Sequence, residues 1–385
     1  MLLESAVREQ THTLMAEARR GGVEIIADLA AEWRALCDEG THAEPFYRPE
    51  WISAYVRAFA PDKQVVLVTA RVNGRLRAVL PLIEERTRFH GVPVKMLRGA
   101  ANVHSDRFDL VHGAGEDSAE AVLAIWQFLK EAPGWDVIEV RDVPPGGAME
   151  QLLAAAEIDG YPTGKWNSVL TPYISLPGPG ADVKAAYAQF DKNFRSKLRK
   201  WRRKLEERGP VQVIQSDAAD PAMLERFYAL EASGWKGAGA TAIASDPQTR
   251  QFYDEVAREA ARFGYLALYE VQCDGRAVAM HYGLRHSGRY FVPKMGYDEN
   301  YPECALGHVI LDEALRDCIA RGLTEFDFLG DEAEWKRRWT HQFRQHHWCY
   351  VFRKGLAGQA LHAVKFKLLT TAREVKRKYF GKGGK

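Results

Sequence analysis

Two stretches of this chain, about two hundred residues apart, follow one pattern: VVLVTARVNGRLRAVLPL at 65–82 and LALYEVQCDGRAVAMHYGL at 266–284. In each, an apolar β-rich run meets Asn73-Gly74 or Asp274-Gly275, and a second strand follows. Asn-Gly and Asp-Gly accept the positive φ of a type I′ turn, whose twist matches that of paired strands, so each stretch predicts an antiparallel hairpin. At an offset of 201, Arg75 falls on Arg276 and Ala78 on Ala279. An aromatic-bearing helical run precedes each hairpin, near Trp51–Phe59 and Phe252–Ala260. A helix and a further strand follow each, over 117–131 and 136–142, then over 307–321 and 324–329. A duplicated unit predicts two similar lobes with a groove between them.

At 385 residues the chain can build two cores. No apolar stretch reaches the length of a membrane span, and residues 1–20 lack an apolar signal core, so a cytoplasmic protein is expected. The five cysteines are scattered without a C-x-x-C pair, which points to buried thiols and to no metal site. The net charge of +2 conceals two cationic segments. Residues 192–208 carry nine basic and two acidic side chains, and residues 365–385 carry eight and one, on an otherwise acidic body.

Residues 1–22 read as a flexible lead-in, 23–176 as the first lobe, 181–354 as the second and 355–385 as a basic amphipathic tail. The Pro-Gly-Pro-Gly run at 177–180 marks the boundary. In the first basic segment Phe194, Leu198, Trp201 and Leu205 recur at helical spacing, one apolar stripe on a cationic cylinder. Phosphate-loop, dinucleotide, H-E-x-x-H and G-x-S-x-G motifs are absent. The fold class expected is α/β (α+β), each lobe a mixed, largely antiparallel sheet flanked by helices.

The order of each repeat, with the series S-G-W-K, D-G-R-x-V-A, K-M-G-Y-D, L-G-H and D-F-L-G-D-x-x-x-W-K, resembles the GNAT-superfamily acetyltransferases of cellulose and exopolysaccharide biosynthesis. These are related to the Fem-type peptidyltransferases, which also use tandem GNAT lobes. The resemblance covers roughly residues 25–350. It implies acyl transfer from acetyl-CoA to an amine on a nucleotide-sugar or polysaccharide precursor, with no metal. It also implies that Leu306, Gly307 and His308 open the helix that holds the CoA phosphates, although the usual Q/R-x-x-G-x-G/A is reduced here to a single glycine in Glu303–His308.

Tyr297 is the candidate acid for the leaving thiolate. Asp327 is read as a base in the groove or, equally, as a solvated outer-face residue. Lys294, after Pro293 inside a strand, suggests a bulge whose amides meet the oxyanion. Trp235, Lys236, His281, Asp331 and Lys336 are candidates for the acceptor, as are His104 and Asp106 from the first lobe; each also has a purely structural reading. The basic tail is expected to touch anionic membrane or a cyclic dinucleotide. Two alternatives stand: a Fem-like transferase using aminoacyl-tRNA on a peptidoglycan precursor, and a non-catalytic GNAT pair that senses an anionic ligand in polysaccharide secretion.

Overall fold

The computed structural model describes residues 13–40, 44–115, 117–233 and 242–368. The first half runs β1 (Leu14–Gly21), α1 (Glu24–Glu39), α2 (Pro49–Phe59), β2 (Gln64–Val72), β3 (Arg75–Phe89), β4 (Val92–Gly99), β5 (Val111–His112), α3 (Asp117–Glu131), β6 (Val137–Val143), α4 (Ala148–Ile158) and β7 (Thr163–Ser175). The second begins with α5 (Val183–Ala186), α6 (Lys192–Glu206), β8 (Val211–Ser216), α7 (Pro221–Ser233), α8 (Pro247–Arg262), β9 (Leu268–Cys273) and β10 (Arg276–His286). It continues with β11 (Arg289–Tyr297), α9 (Leu306–Ala320), β12 (Glu325–Asp327), α10 (Glu334–Arg337), β13 (Gln342–Phe352) and α11 (Leu356–Ala363).

Both hairpins form as the turn chemistry requires. Asn73 and Gly74 lie at φ 50° and 80°, Asp274 and Gly275 at 51° and 74°. The likeness extends to a defect. The β2–β3 register slips between Ala70 and Arg71, leaving Arg77 as the extra residue, and the β9–β10 register slips at Val278. These two positions are again 201 apart. The preceding helices α2 and α8 each start on a proline and pack on one another. There Trp51 meets Phe252, its own counterpart in the repeat, edge to face at 5.2 Å. Both rings are fully buried, and truncating a side chain of this size in a core costs about 3–5 kcal/mol.

The strands form one continuous sheet in the order β1-β2-β3-β4-β6-β13-β7-β12-β11-β10-β9-β8, with β5 on β3. Its centre is an exchange. β13, from the end of the chain, lies against β6 of the first half, while β7 lies against β12 of the second. β7 and β13 then pair with each other, from Thr163 opposite Val351 to Tyr173 opposite Gln342. One core joins the helices of the first half to α7 and α8, and a second lies under α6 and α9.

Two local expectations change. Leu14–Gly21, inside the expected flexible lead-in, is β1, paired along its length with β2. The start of the expected tail is packed: Phe366 lies against Tyr350 and His362, and residues beyond 368 lie outside the described residues. No helix among the described residues is long and apolar enough to cross a membrane.

Candidate active site

β11 and β12 run parallel and paired from Arg289 opposite Glu325 to Phe291 opposite Asp327, and there the pairing ends. At that point β11 carries a bulge: Val292 and Pro293 together face Gly283 of β10, before pairing resumes at Lys294 opposite Tyr282. A bulge bends its strand, and proline cannot donate to a ladder, so β11 turns away from β12 here. The chain beyond β12 turns away on the other side, because Leu329 and Gly330 lie at φ 52° and 56°. Two side chains hold that turn. The Asp327 carboxylate accepts the Leu329 amide at 2.8 Å, and the Lys336 ammonium donates to the carbonyls of Leu329 at 2.7 Å and Asp331 at 2.8 Å.

The parted strands enclose a chamber of about 350 Å³, walled by Val292–Tyr297 on one side and by Phe328, Leu329 and Gly330 on the other. Asp106, Glu231, Trp335 and Lys336 also reach it. A second chamber of about 430 Å³ adjoins it and shares Met295, Tyr297, Glu299 and Trp335. Its far wall is the start of α9, with Leu306, Gly307 and His308. Ala305 caps that helix at φ 46°, and the first amides of the helix have no intrahelical acceptor. The ring of Tyr297 lies so near that a Cβ on Gly307 would stand 3.4 Å from it.

The cationic helix α6 flanks this second chamber. Asp191 caps it, accepting the amides of Asn193 and Phe194, and its apolar stripe packs on the core under α9. Trp201 stacks on His308 at 5.0 Å, and Arg208 bonds Glu303 and covers Tyr301. Burial pushes His308 down to about 4, and its Nδ1 accepts the Trp339 indole N–H, so the ring is neutral. Lys197, Lys200, Lys204 and Arg208 follow the same flank as Trp201 at helical spacing. In the first half the equivalent helix start is closed: Arg77 bonds Ala114 and Asp117 there and lies 2.8 Å from where a Gly113 Cβ would be.

Of the residues singled out from sequence, Lys294, Tyr297, Leu306, Gly307, His308, Lys336 and Asp106 come together around the two chambers. Asp327 is at neither of its two expected places. It is 0% exposed and lines neither of these chambers, because Arg107 and Arg344 both bond its Oδ2 and the Leu329 amide holds Oδ1. Asp331 accepts the Leu170 amide at 2.9 Å and also stands away from the chambers. His281 is sealed in the core beneath α9, with Nδ1 3.5 Å from the Tyr290 hydroxyl, and burial lowers it to about 3. His104 stacks on Phe59 beside the α2–α8 contact, 3.4 Å from both Thr249 and Tyr253 hydroxyls. Trp235 and Lys236 lie outside the described residues.

Sequence reasoning missed Glu231 and Trp335 as lining residues. Trp335 sits inside the quoted D-x-x-x-W-K series, and Glu231 is an acid on the buried face of α7, 2% exposed and accepting the Ile243 amide at 2.9 Å. Either misfit was readable. A buried acid on an amphipathic helix is the stronger signal.

Residues 192–337 match the family model of the acetyltransferase (GNAT) domain. FemX superposes with a TM-score of 0.61 at 12% identity, covering 88% of this chain and 98% of that one. The C-terminal domain of an Agrobacterium fabrum protein described as a lysylphosphatidylglycerol synthetase gives 0.53 at 11%, covering 89% and 96%. A protein of unknown function from Bacteroides thetaiotaomicron gives 0.52 at 11%, covering 88% and 100%. No sequence among the curated proteins matches. At these identities the structural likeness is one of fold alone, and the acetyltransferase (GNAT) domain is matched over residues 192–337.

Proposed function

We propose that this protein is an N-acyltransferase that moves an acetyl group from acetyl-CoA to an amine on a sugar or exopolysaccharide precursor. The parting of β11 from β12, opening directly onto the start of α9, carries the reading. Past Phe291 the outer edge of β11 has lost its β12 partner, and an extended thioester arm with amides of its own can take that place. Its phosphates then fall at the α9 N-terminus, where amides and helix dipole favour anions, beside the cations of α6. The thioester carbon comes to lie near Tyr297, where the two chambers meet, and the amine enters from the chamber of Asp106 and Lys336. In this reading Tyr297, which lines both chambers, protonates the departing thiolate, and the edge amides near Lys294 receive the oxyanion. The Trp335 ring offers a face for a sugar.

A second reading, aminoacyl transfer from tRNA to a peptidoglycan precursor, draws on α6. Lys192, Arg195, Lys197, Arg199, Lys200 and Lys204 make no ion pair with described residues, and an RNA backbone would use such a row. Calorimetry with acetyl-CoA and with tRNA separates them. Saturable acetyl-CoA binding with amine-dependent thiol release supports the first reading, and tRNA binding alone moves the assignment to the second. Acetyl-CoA binding without transfer to any amine would leave a sensing scaffold. A cytoplasmic location, with the basic residues beyond 368 meeting anionic membrane or a cyclic dinucleotide, accompanies the first reading.

A further inference from the structure

Among the described residues of the first half, Asp106 alone lines the chamber between β11 and β12. It sits at φ 55°, a left-handed conformation that an aspartate adopts at some cost, and the backbone on both sides is fixed. Ser105 before it is buried and its amide bonds the Asn102 carbonyl at 3.0 Å. Arg107 after it is 2% exposed and held by Glu44 and Asp327. The Asp106 side chain is thus presented to the chamber by a rigid frame.

Its carboxylate also differs from its neighbours in what it touches. Asp327, Glu231 and Asp331 each accept at least one backbone amide. Asp106 accepts no hydrogen bond from any described residue. Burial pushes it up to about 7, against the pull of Lys294, Arg107 and Lys336 and with Asp327 adding to the rise. Those cations keep a negative charge tolerable in the chamber without bonding it, so both carboxylate oxygens remain available to a guest.

We propose that Asp106 receives the ammonium group of the acceptor and is the base that takes its proton, so that the active site is assembled from both halves of the chain. The inference rests on the acyl-transfer reading. The acceptor enters as R–NH3+, its N–H donates to Asp106, and the proton passes to the carboxylate. The freed lone pair attacks the thioester carbon. The C–N bond forms, the C–S bond breaks, and the second proton lost by nitrogen goes by way of the Tyr297 phenol to the thiolate. Asp106 then returns its proton to solvent, which leaves amide, free thiol and one released proton.

The test uses the full chain with acetyl-CoA as donor and glucosamine and ethanolamine as amine probes, glucose being the uncharged control. Amine binding is read by saturation-transfer NMR, transfer by thiol release, and acetyl-CoA binding by calorimetry. For the wild type we expect binding of the amines and not of glucose, and a rate that rises through about pH 7. In Asp106→Asn, amine binding and the rise with pH should vanish and kcat/KM should fall on the order of 100-fold, with acetyl-CoA binding kept. Asp106→Glu should restore part of the pH-dependent rate. If the wild type binds acetyl-CoA yet treats glucosamine and glucose alike, or if Asp106→Asn binds and acetylates amines as the wild type does, the Asp106 assignment is overturned. Failure of the wild type to bind acetyl-CoA would instead remove the acyl-transfer reading beneath it.

Discussion

Arg107 and Asp327 stand 220 positions apart and are bonded to each other in the interior, one from each half of the chain. Burial works against the Arg107 charge, but Asp327 and Glu44 outweigh it and hold the guanidinium protonated. The pair belongs to a longer row. Arg289 bonds Glu44, Glu44 bonds Arg107, and Arg344 joins Asp327 to Glu325. Three arginines and three carboxylates thus alternate across the two halves, and breaking the row strands a charge.

Asp327→Ala leaves Arg107 and Arg344 facing each other without their shared acceptor and frees the Leu329 amide. The expected loss is about 3–5 kcal/mol, the usual cost of removing one partner from a buried pair. Urea denaturation followed by circular dichroism measures it. A loss below about 1 kcal/mol would mean that water enters the row and replaces the carboxylate.

Tyr297→Phe should retain acetyl-CoA affinity and lower kcat about ten-fold, which corresponds to about 1.4 kcal/mol of transition-state stabilisation. The ring that lies against Gly307 is kept, and only the hydroxyl is lost. An unchanged kcat in steady-state thiol release would assign the thiolate's proton to another donor.

Lys200→Ala combined with Lys204→Ala removes two cations from α6, the first exposed and the second half-buried, beside the second chamber. Acetyl-CoA should bind roughly five-fold more weakly, a change of about 1 kcal/mol, and the dependence of affinity on salt should become shallower. Calorimetry at two ionic strengths tests both statements. Equal affinity and an equal salt slope would place the phosphates elsewhere.

Acid should destabilise the fold well before carboxylates titrate in bulk. Burial lowers His281 and His346 to about 3, and His104, His286 and His308 to about 4. The unfolded chain takes up these protons near pH 6.5 and the folded one does not, so the stability present above pH 6.5 is lost as pH falls toward 4. Asp106 and Asp109, both raised to about 7, act in the opposite sense but are fewer. The urea midpoint should therefore fall steadily from pH 7 to pH 4.5, and a flat midpoint would contradict the neutral, buried state of these rings.

The repeat was readable because its signals are local. Asn73-Gly74 and Asp274-Gly275 announce their hairpins within a few residues, and even the matched bulges at Arg77 and Val278 fall at the expected spacing. The row of charges was not readable, since nothing near D-F-L-G-D says that Arg107 will meet its first aspartate. For the same reason Asp327 looked like a base: alternation along a strand says which face a residue takes, not what covers that face. Asp106 was legible as a polar candidate of the first lobe, while its place in a chamber walled by β11 depends on contacts almost two hundred residues away. The crossing of β7 and β13 left no trace in composition or pattern, because a fully paired strand reads alike whichever neighbour it has.

That crossing sets how the protein can move. Two lobes joined only by a linker could gape like a bivalve to admit a substrate. Here each half holds a strand that completes the other's sheet, and the two strands are laced together from Thr163–Val351 to Tyr173–Gln342. Swinging the halves apart would unzip that seam, so whatever reaches the chamber between β11 and β12 has to do so with the halves still laced. Nor is the second half separable by scissors: residues 192–337 taken alone would keep β12 but forfeit β7, exposing a raw sheet edge beside the parted strands.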